Sequence, residues 1–389
     1  MIPRALPPSG VCIRLTDILA GLQAARQGDK ALRGFRDAIC QYFGVRHAVF
    51  TSSGRAALSV LLTALQSLYP DKNEVVLPAY TSFSVPSAAV NAGCKVALYD
   101  LEASTLSPNL DSLRECLSDK TLCIVVCHLY GYPCDMEAIC EIAAGKGIPV
   151  VDDAAQAMGA RYKGRYIGTL GTAGIFSLSR GKNITAVDGG IIVTDDATLT
   201  EALQKINLPQ PMGTDSISLY LKAFILSFLL YPWIYWLPQR MPFLHIGASV
   251  FNPHFERGGL TPFQAGIAGK MLDRLAEINS KRKTVAERFC RILKDSCNFI
   301  QPVAGSEPVY LRLPVFSATD ATRERQGHGV VKSYPLSLDA IPSLRPFLVA
   351  TDKRYPVSQN LAETLVTLPT HEFVTESDTD RIITNLRQG

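Results

Sequence analysis

The sequence predicts an α/β protein built around a doubly wound, mostly parallel sheet. Three observations predict it. From about residue 46 to residue 194, short apolar runs alternate with stretches of helical periodicity, which is the rhythm of βαβ units. The runs are continuously apolar rather than alternating, as expected of strands covered on both faces. The composition, 47% hydrophobic and 19% charged over 389 residues, is that of a globular chain with room for two or three packed units.

The elements follow in order. His47 to Thr51 reads as a strand ending in Ser52-Ser53-Gly54, and Arg55 to Leu68 as a helix. Glu74 to Leu77 is a strand stopped at Pro78, Ser84 to Gly93 a helix of small residues, and Lys95 to Asp100 a strand. Leu110 to Leu117 is helical, Thr121 to Cys127 a β-branched strand, and Met136 to Gly145 a helix. Pro149 to Asp153, Gly174 to Ser179 and Gly190 to Thr194 complete the sheet. Residues 1–210 form the large unit, with 211–250 inserted after it. The insertion carries the run AFILSFLLYPWIYWLP, Ala223 to Pro238. That run is shorter than the ~20 residues a spanning helix needs, and Pro232 interrupts it. The segment 219–251 therefore reads first as a buried or interface-forming element, and second as a membrane-surface element, with Trp233, Tyr235 and Trp236 suited to the headgroup zone. Residues 251–389 give one long helix from Thr261 to about Lys294, then a smaller C-terminal α/β unit with strands near Val309 to Leu313 and Leu365 to Leu368.

A net charge of +4, dispersed along the chain, argues against a nucleic-acid partner. None of the ten cysteines forms a CxxC pair or a His/Cys zinc pattern, so no metal is expected. They read as buried free thiols in a reducing compartment. The Pro-rich start has no apolar signal core, and a cytoplasmic protein is expected. There is no Walker loop, no GxGxxG after a strand, no HExxH and no nucleophile elbow.

In a parallel sheet, ligands bind at the carboxyl ends of the strands. That places Ser53-Gly54-Arg55, Tyr80, His128, Asp153 to Gln156 and Ser177 to Lys182 together as candidates. Ser53-Gly54-Arg55 offers backbone N–H groups, a hydroxyl and a guanidinium at a helix N-terminus, a cradle suited to phosphate. Asp153 and Lys182 stand 29 positions apart. A carboxylate that can pair with a pyridinium nitrogen and a lysine that can form a Schiff base are the minimum that pyridoxal phosphate (PLP) asks of a protein. Burial and the neighbouring Arg180 would lower the lysine's pKa toward its nucleophilic form. On spacing alone the reading stays open, because lysines beyond strands are usually solvated and Asp-Asp at a strand end is usually a turn. His128 could equally be a satisfied core histidine, and His371 a residue that caps or packs the last helix.

Several ordered motifs narrow this. DDAAQAMGARYKG, FSLSRGKN, DGGIIVTDD, PAYTSFSVPSAAVNAG, CHLYGYPCDM and FGVRHAVFTSSGRAAL together resemble the DegT/StrS-type nucleotide-sugar aminotransferases. Those typically read EDAAQALGA, FSF followed by a Schiff-base lysine, GEGG, HLYG-PADM and FGVKHAVAVSSGTAAL. The resemblance is collinear from about residue 40 to 200 and resumes at LTPFQAGIAGKMLDRLAEINSKR and LAETLVTLPTH. It implies the type I fold of PLP-dependent transferases, a homodimer with each site at the subunit interface, and PLP as cofactor. By position, Lys182 matches the Schiff-base lysine, Asp153 the pyridinium partner and Gln156 the residue beside the ring hydroxyl. Ser177 matches a phosphate-binding serine, and Gly54 and Arg55 fall on the family's Gly-Thr phosphate turn. His128 lies near the cofactor in such proteins. The implied reaction moves an amino group from an amino acid, glutamate by resemblance, to a keto-sugar.

The departures fall mostly on the substrate side. The aromatic that stacks on the cofactor ring is replaced by Ser82, which leaves Tyr80 or Phe83 as substitutes. GEGG becomes Val187-Asp188-Gly189-Gly190, and the asparagine that reaches the neighbouring subunit's phosphate falls near Arg257. The SGxLTxG substrate loop is missing between Gln27 and Phe35, and the apolar insertion is atypical. Two other classes compete with the aminotransferase. PLP-dependent sugar dehydratases of the same fold replace the lysine by histidine, whereas Lys182 is intact. A non-catalytic PLP-binding regulator, or a membrane-peripheral protein of glycan assembly, would use the segment 219–251.

Overall fold

The computed structural model describes residues 4–209, 214–239, 250–316 and 328–388. The expected boundary at 210/211 and the stretch 240–249 of the apolar segment lie outside the described residues.

Two helices that periodicity did not reveal precede the first strand, α1 (Leu15–Gln27) and α2 (Asp29–Phe43). The α2 helix ends at Gly44, which takes φ 69° and donates its N–H to the Cys40 carbonyl at 2.9 Å, the left-handed cap that glycine favours. The expected rhythm then begins with β1 (His47–Thr51), α3 (Gly54–Leu68), β2 (Glu74–Pro78), α4 (Ser84–Asn91) and β3 (Lys95–Tyr99). It continues with α5 (Leu110–Glu115), β4 (Thr121–Cys127), α6 (Met136–Ala144) and β5 (Val150–Asp153). A small hairpin, β6 (Arg161–Tyr162) and β7 (Arg165–Tyr166), precedes β8 (Ala173–Ser177), β9 (Gly190–Thr194) and α7 (Ala197–Gln204). The apolar segment supplies α8 (Thr214–Leu229) and α9 (Pro232–Gln239). Next come α10 (Pro262–Leu272), α11 (Leu275–Leu293), β10 (Ser306–Glu307), β11 (Arg312–Phe316), α12 (Pro356–Thr364), β12 (Leu365–Pro369) and α13 (Glu376–Gln388).

The main sheet has the order β1-β9-β8-β5-β4-β2-β3. Strands β3, β2, β4, β5 and β8 are parallel, while β9 is antiparallel to both β8 and β1. It follows that β1 points the same way as β8, and the carboxyl ends of β1, β2, β4, β5 and β8 share one edge. Every residue of β4 is buried, as a strand covered on both faces requires. Helix α3 is buried along most of its length by Ala56 to Leu62, Ala64 and Leu65. At the C-terminal end, β11 and β12 pair antiparallel. They enclose a second core of Phe289, Leu293, Leu313, Val315, Val366, Leu368 and Ile382.

Two expectations are corrected. The long helix is two helices, broken at Asp273-Arg274, where Arg274 pairs with the fully buried Asp17 of α1 at 2.6 Å. The strand expected from Val309 starts at Arg312 instead. Tyr310 has φ 49°, and the Val309 N–H is taken by the Gly131 carbonyl at 3.0 Å. Among the described residues, no helix is long and apolar enough to cross a membrane.

Candidate active site

The shared carboxyl edge of β1, β2, β4, β5 and β8 opens on a cavity of about 230 Å³. Eight of the nine sequence candidates line it: Ser53, Gly54, Arg55, His128, Asp153, Gln156, Ser177 and Lys182.

The β1–α3 turn provides one wall. Ser53 caps α3, its Oγ accepting the Ala56 N–H at 3.2 Å. The N–H groups of Gly54 and Arg55 then open the helix, where no intrahelical acceptor exists. Gly54 is required by close approach, since a Cβ there would lie 2.8 Å from both Cβ and Oγ of Ser177. Ser177 Oγ in turn shares a hydrogen bond with Ser179 Oγ at 2.9 Å. Arg55 is exposed, and its guanidinium lies 4.7 Å from the centroid of the Phe255 ring. Free N–H groups at a helix start, hydroxyls and a guanidinium together make an anion site.

Asp153 ends β5 at the cavity. Its Oδ1 accepts the Ala155 N–H at 3.0 Å and its Oδ2 accepts the Cys127 thiol at 3.5 Å. Burial raises its carboxyl above the usual range, against the pull of that N–H and of Lys182. Among the described residues it forms no ion pair, so a cationic ring nitrogen would supply the missing counter-charge. Lys182 reaches the same cavity. Its pKa is lowered by burial, while Asp153 and Asp188 oppose the shift. Three distant residues pin its loop: Ser9 Oγ donates to the Gly181 carbonyl at 2.7 Å, Arg282 Nη2 to the Lys182 carbonyl at 3.4 Å, and Asn183 Nδ2 to Asn279 Oδ1 at 2.9 Å.

Gln156 is held from both ends. Its Oε1 accepts the Tyr130 N–H at 3.0 Å, and its Nε2 donates to Tyr334 Oη at 2.7 Å. Tyr130 sits at φ 58°, ψ 13°, a conformation that costs about 1–3 kcal/mol for a residue of this kind and persists where surroundings enforce it. Tyr80, the ninth candidate, does not line the cavity. Its hydroxyl is turned inward to Tyr130 Oη at 2.9 Å, and its ring packs edge-on against Tyr334. Phe83 is likewise buried away from the lining, while Ser82 is part of it.

His128 is among the lining residues, but its side chain is fully buried and turned to Asp152. The Cys134 N–H donates to its Nδ1 at 3.0 Å, so the proton stands on Nε2, which donates to Asp152 Oδ1 at 2.7 Å. Asp152 is fully buried, and its other oxygen accepts the Leu170 N–H at 3.0 Å. Asp152, half of the Asp-Asp pair that a strand end would read as a turn, is the anchor of the imidazole. His371, by contrast, lies away from the cavity. Its Nε2 donates to the Pro7 carbonyl at 2.8 Å and burial lowers its pKa to about 3, so it ties down the N-terminal segment. An anion cradle, an unpaired buried carboxylate and a lysine of lowered pKa around one cavity fit PLP.

Comparison with known proteins agrees. The model of the DegT/DnrJ/EryC1/StrS aminotransferase family matches residues 13–216 and 256–387. Among solved structures, the chain is similar to Helicobacter pylori PseC, an aminotransferase of pseudoaminic acid biosynthesis, with TM-score 0.79 and 17% identity over 99% of each chain. It is similar to S. venezuelae DesV with TM-score 0.72 and 24% identity, covering 92% of this chain and 88% of that one. It is also similar to the E. coli GDP-4-keto-6-deoxy-D-mannose-3-dehydratase with TM-score 0.78 and 19% identity, covering 99% and 100%. At such identities the solved structures attest the fold, while the family match spans most of the sequence. The chain therefore belongs to the DegT/DnrJ/EryC1/StrS aminotransferase family and is a PLP-dependent sugar aminotransferase.

Proposed function

We propose that this enzyme takes an amino group from an amino acid, glutamate first, and delivers it to a keto-sugar carried on a nucleotide. The observation that carries the reading is the convergence of Asp153 and Lys182 on one cavity beside the anion-ready start of α3. When bound, PLP supplies an electron sink for the pair left behind when a proton leaves the substrate carbon. The chain supplies the rest. Asp153 keeps the ring nitrogen protonated. Lys182 Nζ, its pKa lowered by burial, holds the cofactor, then takes the proton from one carbon and returns it to another. The N–H groups of Gly54 and Arg55, the Arg55 guanidinium, Ser177 and Ser53 hold the phosphate. Gln156 stands beside the ring hydroxyl, braced by Tyr130 and Tyr334. His128, its side chain fully buried on Asp152, supports the cavity wall from behind.

The cradle as described is supplied by one chain, and the family pattern supports a homodimer in which a second copy completes each site. All ten cysteines are free, which supports a reducing, cytoplasmic setting.

The test is spectroscopic and chemical. Purified enzyme should absorb as a PLP protein, and borohydride should fix a pyridoxyl group on the peptide carrying Lys182. Recovery of that group on another lysine, or on none, would sink the assignment. Keto-sugars that are free, nucleotide-linked and lipid-linked are then offered with glutamate. Amination of the nucleotide-linked member is expected, and amination of another member alone would refute the substrate class.

A further inference from the structure

The family match stops at residue 216 and resumes at 256, so the chain between is added to the common fold. Its described part is residues 217–239, which form most of the hairpin of α8 and α9, and residues 250–255. One side seats it: Ala223, Ser227, Pro232 and Tyr235 are buried, Leu219 and Leu226 pack on the core, the Tyr220 ring packs on Phe263 with centroids 4.4 Å apart, the Tyr231 ring on Phe373 at 5.2 Å, and Arg4 lies 5.7 Å from the centroid of the Trp233 ring. The Pro232 carbonyl also accepts the Ala5 N–H at 2.8 Å.

The remaining surface is apolar and open. Ile217, Leu221, Phe224, Ile225, Phe228 and Trp233 are 41–67% exposed. Helix α1 packs beside α8 and extends the surface with Leu15, Leu19 and Leu22, at 59%, 63% and 39% exposure. Their spacing of four and three residues puts them on one helical face. A contiguous apolar surface of this kind marks an interaction site rather than ordinary exposure.

Charge identifies the occupant. From Ile217 to Gln239 the one charged residue is Lys222, and there is no carboxylate. Lys222 and Arg26 of α1 are exposed and make no ion pair among the described residues. The acidic residue of α1, Asp17, is buried on Arg274. A second copy of the chain would bring the same cations with no carboxylate on this face to answer them. A bilayer with anionic headgroups supplies both an apolar phase for the side chains and negative charge for the cations. Indole rings favour the headgroup level, and no described helix is long enough to go further. We infer that the α8–α9 hairpin and the outer face of α1 form one docking surface that seats the enzyme in the headgroup layer of an anionic membrane.

The chain has two tryptophans, Trp233 and Trp236, and both lie in α9, so tryptophan emission, excited selectively over the tyrosines, reports this hairpin. Holoenzyme mixed with vesicles of phosphatidylcholine and phosphatidylglycerol should shift its emission to the blue, be quenched by brominated phosphatidylcholine, and sediment with the vesicles. Added salt should weaken the effect, and phosphatidylcholine alone should support less of it. Leu221→Glu with Phe224→Glu should lower partitioning by about tenfold or more while turnover on a soluble substrate is kept. Should that pair not fold, Lys222→Glu serves, with loss of the preference for anionic vesicles. Unchanged emission and no sedimentation of the wild-type enzyme with anionic vesicles would overturn the inference. So would a hairpin variant that alters the oligomeric state but not vesicle binding, which would make the face a subunit contact.

Discussion

Asp152→Asn is the substitution that separates a spacer from an anchor. Both carboxylate oxygens are engaged by donors, His128 Nε2–H at 2.7 Å and Leu170 N–H at 3.0 Å, inside a fully buried site. Asparagine keeps the shape but turns one acceptor into a donor. With its amide nitrogen toward His128, it meets the Nε2 proton. Moving that proton to Nδ1 only meets the Cys134 N–H, which already occupies Nδ1 at 3.0 Å. With the amide nitrogen toward Leu170, it meets the backbone N–H. Every placement loses a charge-assisted bond, about 1.5–3 kcal/mol, and leaves a buried donor unmet, about 1–3 kcal/mol. The relief of no longer burying a charge offsets part of this, and the net cost is about 3 kcal/mol. It should appear as a lower urea midpoint at unchanged slope. The cavity wall, loosened where His128 supports it, should also bind PLP about tenfold more weakly, a change of ~1.4 kcal/mol, in a spectral titration of the apoenzyme. His128→Ala combined with Asp152→Asn should be markedly non-additive. An Asp152→Asn enzyme with the wild-type midpoint and the wild-type PLP affinity would refute the reasoning.

Three further outcomes follow from the site. Arg55→Ala should weaken PLP binding by roughly ten- to a hundredfold, the worth of one charge-assisted contact, while Arg55→Thr, the residue of the family pattern, should lose less; the same titration measures both. Gly54→Ala sets a gain of about 0.5–1 kcal/mol for removing glycine from a helix against about 1–3 kcal/mol of overpacking on Ser177. A net loss of ~1 kcal/mol by denaturation, with weaker PLP binding, is expected. Lys182 titrates below the ordinary lysine value in the folded apoenzyme, so between its lowered pKa and 10.5 the unfolded chain holds more protons. Apoenzyme stability should therefore rise with pH through that window, and Lys182→Met should flatten the slope; parallel slopes for the two proteins would contradict the lowered pKa.

The residues legible in the sequence were those whose role depends on position along a strand. Asp153 and Ser177 end β5 and β8, and a strand end can be read from where an apolar run stops. Asp152 is adjacent to Asp153 yet was missed. Neighbours in a strand point to opposite faces, and its partner His128 is 24 residues away. Tyr80 was misplaced for a related reason. Position put it past β2, but Tyr130 and Tyr334 draw its ring inward, and Tyr334 lies in an irregular stretch without periodicity. The supports of the Lys182 loop, Ser9 and Arg282, are 172 and 100 residues from their partners and leave no local pattern. The apolar hairpin was visible as composition; its openness to solvent was not, because apolar content alone does not say which side is covered.

These misses are connected. The sequence shows a serine where the family pattern places an aromatic at position 82, and a spare aspartate at 152. Taken separately they are a loss and an accident. In the fold, the His128 ring is fully buried behind the cavity wall, where Cys134 N–H and Asp152 hold its two nitrogens. The buried pair ties the end of β4 to β5 beside Asp153, while the serine at 82 stands in the cavity lining. The missing ring leaves that part of the cavity wall small, so the width of the site there is set by Ser82 and not by an aromatic.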